Sequence, residues 1–281
     1  MIVAYFIAII AGILSGITES LNKNITEKKY SAFSYSFLQI ALNLVLITIP
    51  FFLFSSFPPI GIVYLYIFIA QIFGFIGNAT LIKAYKTEDL SNVIILFQIN
   101  LILPFILGAT LLQEEITALN IAGILVIISG IITIFYRGKE LRPTTGLLLA
   151  LLSGACFGLS AYFIKVASSY ISPLALIFIA EVIFTLLLLL IPQTYKDIKI
   201  IFKKYTKKLL LSRFTAVGTF YLLMWAFQRS KLSISITNFN TAFILASVFI
   251  GIIFLREKQN IPKKLVGSAF CILGIILLNF F

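Results

Sequence analysis

The chain has no histidine, two cysteines and two aspartates in 281 residues, and charged side chains make up 11% of it. Without histidine, a Ser-His or Cys-His dyad, an HExxH zinc site and a histidine proton relay are all excluded. The aspartates, Asp89 and Asp197, fall between apolar runs, which argues against an intramembrane aspartyl pair. Cys156 and Cys271 stand alone in apolar stretches and read as buried, inert thiols with no disulfide framework. No phosphate-binding glycine loop ending in Lys-Ser/Thr occurs, so this chain is not expected to hydrolyse ATP. No catalytic residue, metal or cofactor is expected. Charge this sparse cannot cover a soluble surface, where roughly a quarter of residues are charged.

What is present is apolar: 60% of the residues are hydrophobic. Runs long enough to cross a bilayer are predicted at 2–21, 32–54, 62–85, 90–112, 116–136, 144–167, 173–191, 209–227, 233–255 and 262–281. The first starts directly after Met1 without a basic leader or a clear cleavage site, and is expected to be a retained helix. A net charge of +12 could suggest nucleic acid, but the charges sit in short connections between spans, so no nucleic-acid partner is expected.

The chain is written twice. AIIAGILSGITESLNK at 8–23 recurs as ALLSGACFGLSAYFIK at 150–165, and the offset of 142 holds through Gln39/Glu181, Pro50/Pro192, Ser91/Ser233, Gln98/Asn240 and Glu115/Glu257. A charged linker, RGKELRP at 137–143, separates the copies. The expected fold is therefore an all-α polytopic membrane protein of ten transmembrane helices in two five-helix repeats, 1–138 and 139–281. Because five is odd, the repeats must cross the bilayer in opposite directions, the inverted arrangement of many transporter folds. Nineteen of the 22 basic residues belong to odd-numbered loops or their flanks, and only Lys165, Arg229 and Lys231 to even ones. Odd loops are thus expected in the cytoplasm and both termini outside the cell membrane.

Polar groups inside spans are the candidate site residues, since they are costly in hydrocarbon. Glu181 falls mid-helix, where a carboxylate is either held protonated or paired with a cation; its repeat partner is the neutral near-isostere Gln39. Glu19, four residues before Lys23, reads as a second candidate or as an interfacial ion pair. Gln98 and Asn240 are a further repeat pair. Thr237, Asn240 and Thr241 share one helix face and Gln71, Gly74 and Asn78 another, either lining a cavity or joining helices. Tyr221 and Trp225 align with Gln228 as a ligand-stacking face or an interfacial belt. The glycines of the first, fifth, sixth and tenth spans are expected to let helices approach closely, and Glu115 and Glu257 to cap the next helix or pair with lysine.

With Gly12, Gly16, Gly154 and Gly158 in the first helix of each repeat, Glu115 and Glu257 ending each fourth, and Gly123-x6-Gly130 and Gly267-x6-Gly274 in each fifth, the chain resembles the drug/metabolite transporter superfamily, EamA branch. It departs from strict symmetry at Ala246, where Pro104 would recur, and at Ala161, where Glu19 would. The resemblance implies a secondary transporter that moves a small metabolite by alternating access, with a small-molecule substrate and the lipid bilayer as partners and protons as candidate coupling ions. A channel, or an intramembrane enzyme or scaffold, are the alternatives; no repeated filter loop or charged ring favours a channel.

Overall fold

The computed structural model describes residues 2–22, 30–88, 90–136, 144–253 and 261–280. The described chain runs α1 Ile2–Asn22, α2 Ala32–Phe54, α3 Ile62–Thr87, α4 Leu90–Phe97, α5 Ile99–Thr110, α6 Ala118–Phe135, α7 Thr145–Ser168, α8 Pro173–Leu189, a 3-10 turn Pro192–Thr194, α9 Ile198–Arg229, α10 Leu232–Ile253 and α11 Ile261–Phe280. Starts are capped by short hydroxyl side chains. Ser31, Thr144 and Ser172 accept amide bonds from the first turns of α2, α7 and α8, and Thr117 forms a capping box with Asn120 on α6. Among the described residues eight spans are long and apolar enough to cross a membrane, and two shorter apolar helices, Ile2–Thr18 and Pro173–Leu189, accompany them. Large apolar side chains such as Val45, Ile49, Phe52, Leu125 and Leu148 face outward, as a hydrocarbon surround requires.

Two predicted spans differ in form. The fourth is not one helix: it breaks at Gln98 into α4 and α5. There the Gln98 amide donates to Ile95 rather than Ile94, and its side-chain Nε2 takes over the Ile94 carbonyl at 2.8 Å. Six residues on, Pro104 cannot donate to the Asn100 carbonyl. In α10, where Ala246 replaces that proline, the helix runs unbroken. The eighth span begins at Ile198 rather than near 209, so the lysine-rich stretch is helical. Ile201, Tyr205 and Leu209 on one face pack against Tyr35 and Leu38 of α2, while Lys199, Lys203 and Lys208 point outward. At 32 residues α9 is about 48 Å long, well beyond the ~30 Å hydrocarbon layer.

The strongest packings join the first half of the chain to the second: α6 with α11, α3 with α7, α1 with α10 and α9, and α2 with α8. Exchanging the halves turns one packing into another. α1 on α10 becomes α7 on α5, α1 on α9 becomes α7 on α3, and α2 on α9 becomes α8 on α3, all of which occur. Gly12 lies against the Phe239 carbonyl of α10, and Gly154, its repeat partner, against the Phe97 carbonyl at the end of α4. The glycines thus do what their spacing suggested, admitting a neighbouring backbone where any Cβ would collide.

Candidate functional site

The α1–α2–α9 contact leaves a polar cavity of about 160 Å³ lined by Ser15, Thr18, Asn22, Gln39, Arg213, Ala216, Thr219 and Phe220. It occupies the odd-loop half of the bundle, where α1 ends and α2 begins. Among the described residues Arg213 is its one charged lining group. Counted above among the loop-flanking cations, Arg213 is 4% exposed and lies about four turns into α9, because that helix starts earlier than predicted. Its Nη2 donates to Asn22 Oδ1 and its Nε to Ser212 Oγ, both at 3.2 Å. The Thr18 and Thr215 hydroxyls lie 2.7 Å apart, and Gln39 Nε2 donates to the Tyr35 hydroxyl at 2.7 Å. Thr219 Oγ1, buried and lining the cavity, has no partner.

Glu181 is 6% exposed on α8 and accepts a 3.0 Å bond on Oε1 from Asn43 Nδ2, one turn after Gln39 on α2. Asn43 Oδ1 has no partner. Glu181 thus meets the face of α2 that carries Gln39 and Asn43. Arg213 itself is the repeat partner of Gln71, so the second half carries Glu181 and Arg213 where the first carries two glutamines.

The other candidates lie elsewhere. Asn78 Nδ2 donates to Ser36 Oγ at 3.4 Å and joins α3 to α2, while Gln71 is half-buried. Gln98 serves the α4–α5 break, and Thr237 donates to Ser233 within α10. Thr241 is buried without a partner and Asn240 is half-buried. Tyr221 is exposed, and Trp225 carries the Arg229 guanidinium over its ring at 4.2 Å, near the end of α9. Glu19 belongs to α1, but its side chain lies outside the described residues, as do Lys23 and Glu257.

At the even-loop end, where Ser168, Tyr170, Ser172, Gln228 and Arg229 line an open depression of about 620 Å³, the helices are tied together by side chains. Glu114, not Glu115, is the cap, and it caps α10 rather than the next helix: Oε1 accepts from Leu232 N at 2.5 Å, and Oε2 from Ser233 N at 3.0 Å and Ser233 Oγ at 2.5 Å. Gln113, in the left-handed region at φ 51°, turns the chain so that Glu114 reaches back, and Gly108 leaves room for its carboxylate. Lys231 Nζ donates to the Glu115 carbonyl, and Lys165 Nζ to the Phe227 and Ser230 carbonyls. The three even-loop cations are therefore engaged locally, two by carbonyls and one by Trp225. Beside them Phe51 and Phe178 stack at 4.3 Å, with Phe57 edge-on. Glu114→Ala is expected to lower the unfolding free energy by about 1–2 kcal/mol, since it orphans two amides and removes a negative charge from a helix N-terminus. Thermal melting of the purified protein checks this, with Glu115→Ala expected to change little.

A helical bundle that turns its apolar side chains outward and keeps an arginine, a glutamate and several amides inside is a multi-pass membrane protein. The EamA-like transporter family model matches residues 2–136 and again 144–280, and the chain belongs to that family. It is similar to an uncharacterized transporter of Helicobacter pylori strain ATCC 700392 / 26695, 29% identical over 138 residues, and to one of strain J99 at 28%. Each match covers 48% of this chain and 45% of the relative, so it spans about half of either protein. One crystal structure superposes over 98% of this chain and 97% of its own with a TM-score of 0.73 at 13% identity, a likeness of fold.

Proposed function

We propose that the chain is a secondary transporter in which two inverted five-helix repeats, 1–138 and 139–281, rock about the substrate to expose it to each side in turn. The observation that carries this reading is the asymmetry along the bundle: a polar cavity with a buried cation lies in the odd-loop half, while at the even-loop end Glu114, Lys165, Lys231 and the Phe51–Phe178 stack tie the helices together beneath an open depression lined by Ser168, Tyr170, Gln228 and Arg229. The exchange relation among the helix packings supports it, because swapping the geometries of equivalent packings would exchange the arrangements of the two ends. Glu181, Gln39 and Arg213 are the residues of the site, with Glu181 as the coupling group.

The test is counterflow in proteoliposomes preloaded with a metabolite mixture. Saturable, trans-stimulated exchange is expected, whereas flux that rises linearly with concentration is the behaviour of a pore and would overturn the reading.

The distribution of basic residues favours a cytoplasmic side for the odd loops and an external side for the termini. With Arg213 inside the bundle, eighteen odd-loop cations stand against three even-loop ones, and the bias keeps its sign. A cysteine at Lys203 is expected to be shielded from a membrane-impermeant thiol reagent in intact cells and one at Ser56 to be labelled. Cys156 and Cys271 are buried and give little background. The opposite labelling pattern would reverse the orientation.

A further inference from the structure

From the membrane placement of the chain alone, and independently of what it transports, we propose that the lysine-bearing first half of α9 is a docking surface for the anionic phospholipid headgroups of the leaflet on the odd-loop side. From Leu210 to Arg229 α9 runs for twenty residues, about 30 Å, which is the thickness of the hydrocarbon layer. Along that length its exposed residues Leu210, Leu211, Phe214, Phe220 and Tyr221 are apolar or aromatic. Ahead of Leu210 the exposed side turns basic, with Lys196, Lys199, Lys203, Lys204, Lys207 and Lys208 all exposed. The helix therefore leaves the hydrocarbon at about Lys208, and the other lysines follow at headgroup level within about 18 Å of it.

Lys199, Lys203 and Lys207 follow one another at i, i+4 and i+8, about 6 Å apart along the axis, and so form a single stripe. Ile201, Tyr205 and Leu209 make the opposite side of the helix, packed against Tyr35 and Leu38 of α2. Its start is held there as well: the Asp197 carboxylate accepts from the Ser31 amide at 2.6 Å, and the Asp197 amide donates to Ser34 Oγ at 3.2 Å. The stripe is thus carried on a fixed helix face rather than on a loose tail. Ile200 and Phe202 stand exposed among the lysines and offer apolar contact at the border between headgroups and acyl chains.

Among the described residues Lys199, Lys203 and Lys207 make no hydrogen bond or ion pair, whereas Lys204 lies over the Tyr205 ring at 4.8 Å. Asp197 is the one acid between positions 195 and 213, and it is engaged by Ser31. Like charges one turn apart repel, and cations at the N-terminal end of a helix oppose its dipole, so the stripe by itself weakens α9. Fold symmetry does not demand it. The repeat partners of 196–208 are residues 54–66, FSSFPPIGIVYLY, without a cation, and α3 starts six residues later in the repeat than α9 does. Nor does orientation demand it: with the six lysines set aside, twelve odd-loop cations still stand against three even-loop ones. Phosphodiester headgroups at the same depth supply the missing negative charge, and each lysine near that surface adds to the attraction.

Quenching of a tryptophan reporter by brominated phospholipids tests the proposal on the full chain in bilayers. Leu211→Trp, combined with Trp225→Phe, puts the only indole on an exposed position within one turn of Lys207 and Lys208. Brominated phosphatidylglycerol is expected to be preferred over brominated phosphatidylcholine at this reporter by at least about threefold, and the preference to disappear by about 0.5 M salt. Lys199→Gln, Lys203→Gln and Lys207→Gln together should remove it, while Lys83→Gln with Lys263→Gln, at exposed lysines of α3 and α11, should leave it in place. A second reporter, Ile62→Trp at the exposed start of α3 on the even-loop side, should show no preference. If the triple variant does not fold, the Ile62 reporter and the salt series decide. Equal quenching by the two lipids at Leu211, a preference as strong at Ile62, or one that survives the triple substitution would overturn the proposal. So would displacement of the lipid by millimolar glycerol 3-phosphate or by a short oligonucleotide, which would assign the face to a soluble phosphate or to nucleic acid.

Discussion

Glu181→Gln is expected to abolish the acceleration of uptake by an inward proton gradient while leaving folding, substrate binding and exchange in place. The amide is nearly isosteric and keeps an acceptor oxygen for Asn43 Nδ2. Its new NH2 group also finds a use, because Asn43 Oδ1 is buried without a partner. A reciprocal amide pair of this kind already exists in the chain between Asn238 and Asn279, with bonds of 2.8 and 3.0 Å. The substitution therefore removes a proton site without opening a hole or stranding a polar group. A purely structural role for the carboxylate predicts the opposite pattern, lower melting temperature with gradient-driven uptake intact. Measuring melting and gradient dependence on the same reconstituted protein separates the two, and unchanged gradient dependence in the variant would remove Glu181 from coupling.

Glu181 was legible because a lone carboxylate in the middle of an apolar run is conspicuous whatever surrounds it. Arg213, equally buried in the bundle, was not. It follows a run of lysines, so hydropathy assigns it to the same interface, and only the earlier start of α9 carries it into the bundle. The signal that could have found it is the repeat: Arg213 aligns with Gln71, which was read as part of a polar face inside a span. The choice between Glu114 and Glu115 is of another kind. Adjacent carboxylates look alike in sequence, and what selects Glu114 is the left-handed turn at Gln113, a residue type that rarely adopts that conformation. The break at Gln98 was equally hidden, since no glycine or proline stands at it, and the side chain that heals it is the residue expected to face a cavity. The helix spans, by contrast, could be read because length and apolarity are imposed by the bilayer itself.

The largest loss of stability is expected from filling the α6–α11 contact. Gly123 and Gly130 on α6 face Gly274 and Gly267 on α11, each against the other's backbone: a Cβ at Gly130 would lie 2.6 Å from the Gly267 carbonyl oxygen, and one at Gly123 would lie 2.9 Å from that of Gly274. The obstacle is main chain, which cannot rotate away as the tip of a side chain can, so the helices must separate along the whole seam. Separation would loosen Ile127, Ile131 and Cys271, all buried there, and the bond from Asn120 Nδ2 to the Leu278 carbonyl at 3.1 Å. Gly130→Ala is expected to cost about 1–3 kcal/mol as an overpacked position, and Gly130→Leu to leave no folded, monodisperse protein in detergent. Gly218, in the middle of α9, is the internal control, because a Cβ there meets nothing within 4 Å. Gly218→Ala should be neutral or stabilise the helix by up to about 1 kcal/mol. Thermal melting of Gly130→Ala, Gly267→Ala and Gly218→Ala provides the comparison. If the first two melt with the third, the glycine seam does not hold α6 against α11.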